Sequence, residues 1–124
     1  MSTESPVSVA LAFVEKINAH DLDGLTKMLT EDHLFIDYRG NEERGRALIR
    51  EGWAGYFTAY PEYRIHVDHV LTAGDAVALV GRTTGSHVDP AVETNELVVW
   101  TADIDHGKVA EWRIYAGQRT QRTT

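Results

Sequence analysis

The chain has 124 residues, 43% hydrophobic and 25% charged, which fits one globular domain and excludes a disordered chain. A formal net charge of −7 argues against nucleic acid and anionic membranes as partners. No cysteine is present, so disulfides, thiolate metal sites and cysteine nucleophiles are excluded, and a reducing, cytoplasmic setting is expected.

The start, Met1-Ser2-Thr3-Glu4, has no basic n-region, so no signal peptide is expected. Ser5-Pro6 reads as a helix start, a hydroxyl N-cap followed by proline at the first helical position. Val7, Ala10, Leu11, Val14 and Ile17 follow at helical spacing, and Val9 and Phe13 widen the stripe. Asp21 can cap a short second helix carrying Leu22, Leu25, Met28 and Leu29, although Gly24 weakens it. His33 to Arg39 reads as a strand, with Phe35, Ile36 and Tyr38 as β-favouring residues. Gly40-Asn41 and Gly45 punctuate a loop.

From Ala47 the period is helical again, through Ile49, Trp53, Tyr56, Phe57 and Tyr60. Pro61 ends this helix, because the residue before a proline is pushed out of the α region. Four strands follow: Ile65 to Leu71, Val77 to Thr84, Leu97 to Ile104 and Val109 to Ala116. Gly74-Asp75 and Asp105-His106-Gly107 are turns, and Asp89-Pro90 lies in a connection. Short turns predict an antiparallel meander. The central strands are apolar on both faces, so both faces need cover. Helices can cover one, and a second subunit, as an isologous dimer, is expected to cover the other. The chain is read as a single domain, 1–124, with a core of about 7–116 and a flexible polar tail at 117–124.

Four stretches in this order carry a resemblance: Phe13-Val14-Glu15-Lys16-Ile17-Asn18-Ala19-His20-Asp21, Asp32-His33-Leu34-Phe35-Ile36-Asp37, Gly45-Arg46-Ala47-Leu48-Ile49-Arg50-Glu51, and Gly107-Lys108-Val109-Ala110-Glu111-Trp112-Arg113. Over about residues 7–116 the chain resembles the nuclear transport factor 2-like superfamily, and within it the SnoaL-like group. That group includes polyketide cyclases and sits near ketosteroid isomerases. The resemblance implies an α+β fold in which a curved, mostly antiparallel sheet wraps three helices of the N-terminal half. The result is a cystatin-like α+β barrel, a cone with a pocket in its open end. It also implies dimers through the outer face of the sheet.

Carried over residue by residue, the resemblance puts Asp37 where ketosteroid isomerases hold their proton-shuttling aspartate. The oxyanion tyrosine falls on Phe13 and its supporting tyrosine on Trp53. The second aspartate falls near Val99 or Trp100, and the polyketide cyclase aspartate near Trp100. The base position is therefore present and the oxyanion groups are not. The resemblance also turns Trp53 and Trp112 toward the cavity, with Ile114 following Trp112 on its strand face.

The residues give Asp37 two readings. Among apolar walls its pKa would rise toward useful acid–base values. Alternatively, it is a strand-end carboxylate bonding loop amides or pairing with Arg39. Period two puts His33, Phe35 and Asp37 on one face, so His33 could orient Asp37 or act as partner acid, or be a solvated histidine. The candidate catalytic set is Asp37, His33 and Arg39. The candidate substrate-binding set is Phe13, Trp53, Phe57, Tyr60, Val99, Trp100, Trp112 and Ile114. His66 and His69 should lie on opposite strand faces and not chelate a metal together. His69 could be in the pocket or the core, and His20, His87 and His106 are expected to be solvated. Tyr56, Tyr60 and Tyr115 could offer rim hydroxyls. No nucleotide cofactor is expected, since no glycine-rich phosphate loop follows a strand, and no metal, since too few ligands fall on one face. Two functions fit: a cofactor-free acid–base enzyme of isomerase, cyclase, dehydratase or epoxide hydrolase type, using Asp37 as acid or base on a small apolar substrate, or a non-catalytic ligand-binding or association module.

Overall fold

The computed structural model describes residues 5–117. Helix α1 (Pro6–Asn18) starts as its first residues dictate: the Ser5 side chain accepts from the Ser8 N–H, and proline occupies the first turn. Helix α2 (Leu22–Lys27) is capped by Asp21, which accepts from the Gly24 N–H. Gly24 suits this cap, because a Cβ there would run into the Asp21 carboxylate. Met28 and Leu29 lie outside α2: Met28 is its C-cap, and Leu29 opens β1 (Leu29–Ile36).

The segment read as a loop contains β2 (Glu42–Arg44), paired antiparallel with β1. Helix α3 (Arg46–Ala59) ends just before Tyr60-Pro61. The meander then runs β3 (Arg64–Ala73), β4 (Ala76–Thr84), β5 (Leu97–Asp105) and β6 (Lys108–Gly117). Gly117 thus belongs to a strand, and the rest of the expected tail, 118–124, lies outside the described residues. Between β4 and β5 sits a short helix, α4 (Pro90–Glu93), which the sequence reading left in the connection. Its start repeats that of α1: Asp89 caps and proline follows.

The six strands form one sheet in the order β2-β1-β6-β5-β4-β3. All pairings are antiparallel except β1 with β6. This sheet with its helices is the expected α+β architecture of the cystatin-like type. Helix α1 packs against β3 to β6 and α3 against β1. Between them lies the core of Phe13, Ile17, Leu25, Leu79, Trp100, Val109 and Trp112, all fully buried.

Register departs from simple alternation at β3. A bulge between Val67 and His69 shifts the pairing, so His66 faces Arg82 and His69 faces Val80. Arg82 and Val80 share the outer face of β4, so both histidines lie outside on one face. His69 is exposed there and belongs to neither pocket nor core, and His66 Nε2 bonds the Thr84 hydroxyl at 2.9 Å. Among the described residues no three or more His, Asp or Glu side chains are grouped to hold a metal ion.

Candidate functional site

A cavity of about 920 Å³ opens between α3 and the inner face of the sheet. The volume is within the range of small-molecule sites. Its apolar wall comes from Phe35 of β1, Ile49 and Trp53 of α3, Val98 and Trp100 of β5, and Ile114 of β6. Alternation explains the β5 pair: Val98, Trp100, Ala102 and Ile104 are buried while Val99 and Thr101 face outward. The i, i+4, i+7 spacing of Ile49, Trp53 and Tyr56 puts all three on the cavity side of α3.

Asp37 lines the cavity at the mouth, one residue past the end of β1. It belongs to the turn joining β1 to β2, and its carboxylate holds that turn. Oδ1 accepts from the backbone N–H of Arg39 at 2.8 Å and of Asn41 at 2.9 Å, and Oδ2 from the Asn41 side-chain amide at 3.2 Å. Desolvation pushes its pKa up. The hydrogen bonds from Asn41 and Arg39, with the Arg39 charge, together outweigh it and leave the group below its ordinary value. Of the two readings of Asp37, the carboxylate bonding loop amides holds and the raised pKa does not: Asp37 is ionised at neutral pH, fit to accept a proton but not to donate one. Arg39 lines the same mouth. Its side chain lies over the Tyr38 ring, donating from Nε to the Tyr38 hydroxyl at 3.0 Å.

His33 does not meet Asp37. It is fully buried, and its Nδ1–H donates to the Val109 carbonyl on β6 at 2.7 Å. Desolvation lowers its pKa, against the Val109 bond and the Asp32 charge, so the ring is neutral and serves the β1–β6 junction. Phe13 and Trp112 are also fully buried, edge to face with centroids 4.9 Å apart. They fill the space between α1 and the sheet and do not line the cavity. Phe57 turns away to stack on His20 at 4.2 Å. His20 is half-buried and not solvated as expected, with Nε2 donating to the Tyr63 carbonyl. Tyr60 packs on Tyr56 outside the cavity wall, Tyr115 is exposed on the outer face of β6, and Val99 is on the outer face of β5. Of the proposed substrate-binding residues, Trp53, Trp100 and Ile114 line the cavity.

The remaining polar lining comes from Glu43, Tyr63, Thr83, Ser86 and Glu96, which the sequence did not single out, and from His87, which is exposed as expected but also lines the cavity. Tyr56 does reach the cavity and bonds His87 Nδ1 at 2.8 Å. Behind this wall the buried Glu93 accepts from the Thr83 hydroxyl at 2.6 Å and the Ser86 N–H at 3.2 Å. Ser86 and His87 read as loop residues in sequence. What signal existed was the Asp89-Pro90 cap, which predicts a helical turn returning the chain toward the body. The Trp100 indole N–H is fully buried and has no partner among the described residues.

Residues 10–112 match the family model of the SnoaL-like domain. The chain is a SnoaL-like domain. Solved structures agree with this. A cystatin-fold protein from Novosphingobium aromaticivorans superposes with a TM-score of 0.78 at 22% identity, covering 90% of this chain and 97% of that one. A candidate polyketide cyclase from Sinorhizobium meliloti gives 0.73 at 18% identity, covering 86% and 93%. A candidate ketosteroid isomerase from Kribbella flavida gives 0.77 at 17%, covering 98% and 84%. At these identities the likeness is one of fold. No curated protein matches this SnoaL-like domain.

Chemically, the SnoaL-like cavity offers the ionised carboxylate of Asp37 at its mouth, two further carboxyl side chains, Glu43 and Glu96, in its lining, and protonated phenols within. Burial pushes the phenols of Tyr56 and Tyr63 up, helped for Tyr63 by the charge of Glu93. Both remain hydrogen-bond donors at neutral pH. No helix among the described residues is long and apolar enough to cross a membrane.

Proposed function

We propose that this SnoaL-like domain binds a small, largely apolar molecule in the 920 Å³ cavity and performs cofactor-free acid–base chemistry on it, with Asp37 as proton acceptor. The observation that carries the reading is an ionised carboxylate at the mouth of an aromatic-walled cavity. Three hydrogen bonds fix Asp37 in place, and about one of its four acceptor sites is left for a substrate proton. The cyclase and isomerase names of two structural relatives are consistent with proton abstraction, isomerisation or cyclisation. Arg39 beside Asp37 would stabilise the ionised base.

The test is a panel of bicyclic and tricyclic ketones, alcohols and epoxides, screened for binding and then for turnover by mass spectrometry. Asp37→Asn should lower turnover by about 10²–10⁴-fold, the usual worth of general acid–base help. Undiminished turnover in that variant would remove Asp37 from the chemistry.

A second reading, a non-catalytic binding or association module, is favoured by one specific observation. The carboxylate already serves its own turn. Tight binding across the panel with no product would select it.

A further inference from the structure

The wall remote from Asp37 is made by Tyr56 of α3, Tyr63 just before β3, and Thr83, Ser86 and His87 at and after the end of β4. In the sheet, β4 stands three strands from β1, so the two ends of the cavity are ~14 Å apart along the sheet at ~4.8 Å per strand. This inference rests on the cavity being a binding site, and it concerns what that far wall recognises.

The hydrogen bonds there can be followed proton by proton. The Thr83 hydroxyl gives its proton to Glu93. Ser86 Oγ accepts from the Val88 N–H at 3.1 Å, and its hydroxyl donates toward the Tyr56 oxygen. The Tyr56 oxygen accepts from the His87 backbone N–H at 3.2 Å and shares a second hydrogen with His87 Nδ1. If Tyr56 donates to Nδ1, the neutral ring carries an unused Nε2–H. If Nδ1 carries the proton, the Tyr56 O–H is unused. Either tautomer leaves one donor over. Tyr63 is 6% exposed, and its hydroxyl has no hydrogen-bond partner among the described residues. That hydroxyl is not one of the fully buried unpartnered atoms, so it is open to the cavity it lines.

Two donors are therefore uncommitted in one wall: Tyr63 and the Tyr56–His87 pair. Free donors call for an acceptor. The ionisable groups beside them, Glu93 behind Thr83 and Glu96 in the lining, are acidic, which disfavours an anionic acceptor. We propose that this wall is a subsite for an uncharged, hydrogen-bond-accepting oxygen on an apolar ligand, with Tyr63 as a specificity-determining residue.

The experiment is an NMR titration of the full chain with three compounds of one skeleton: 1-tetralone, tetralin and 5,6,7,8-tetrahydro-2-naphthoate. The ketone should bind roughly three- to tenfold more tightly than the hydrocarbon, the worth of one net hydrogen bond, and the carboxylate more weakly than the ketone. Tyr63→Phe should narrow the gap between ketone and hydrocarbon while leaving tetralin affinity unchanged. Unchanged tetralin binding together with a dispersed amide spectrum shows that the Tyr63→Phe chain is folded. Equal affinities for ketone and hydrocarbon, or tightest binding of the carboxylate, would overturn the subsite and leave the pocket standing. Failure of all three to bind would overturn the pocket itself.

Discussion

Asp37 and His33 are four residues apart, and their surroundings drive their ionisation in different ways. Asp37 sits in a turn where backbone N–H groups point at it, so its charged form is favoured despite some desolvation. His33 lies inside, where the charged form has no water and only one partner. The consequence for His33 is a pH dependence with a definite sign. Its folded pKa lies below the unfolded value of about 6.5, so the unfolded chain binds more protons as pH falls. Stability contributed by the neutral ring is complete above about pH 6.5 and declines as pH drops from there toward the folded pKa. Thermal unfolding followed between pH 7 and 5 should show this decline, with a slope of at most about 1.4 kcal/mol per pH unit from this one group. In His33→Leu the slope over that range should flatten. An unchanged slope would mean that other groups carry it. Asp37 was legible as a strand-end carboxylate, because Phe35 and Ile36 mark the strand and Gly40-Asn41 its end. Its protonation behaviour was not, because that depends on where three N–H groups point once the turn has closed.

Among the elements, β3 best shows local sequence overruled by pairing. Its alternating pattern reads as a regular strand, yet the bulge at Asp68 flips the sequence downstream of it. Gly81 on β4 sits opposite this irregularity, and a Cβ there would overlap the His66 carbonyl. The close approach of the two backbones therefore requires glycine. Gly81→Ala should destabilise the domain by roughly 2–4 kcal/mol, measured by denaturant unfolding. A change within about 0.5 kcal/mol, the range of neutral surface substitutions, would show that the strands can separate without loss. Helix α4 makes the complementary point. Its cap was present in the sequence as Asp89-Pro90. Its purpose was not, since Glu93 becomes buried only when the turn folds back onto Thr83 and Ser86.

At the scale of the molecule, the outer face of the sheet remains to be covered. Val80, Val99 and Tyr115 pair laterally across β4, β5 and β6 on that face. Leu71, Leu97 and Tyr115 are exposed there, with Leu71 at 63%. We propose that a second copy of the chain covers this surface. Sedimentation at micromolar concentration should then give a dimer, and Val99→Glu, which places a charge at the centre of the patch, should give a folded monomer. A wild-type chain that sediments as a monomer at that concentration would contradict the proposal.

Hydrophobic period, capping residues and proline positions are local, and by themselves they determined α1 to α3, the four-strand meander and the α+β class, while α4 and β2 were left in loops. They also placed Trp53 and Asp37 at the cavity, with the family resemblance as guide. Whether a side chain at the right period meets the cavity, the core or solvent is not local. Trp100 faces inward and Val99 outward because β5 takes its register from β4 and β6. Phe13 and Trp112 are core because α1 closes over the inner end of the sheet. Tyr63, Ser86 and His87 become a wall only when β4, α4 and α3 are brought together. The tertiary structure alone decided these, because burial and hydrogen-bond partnership depend on contacts between segments far apart in the chain.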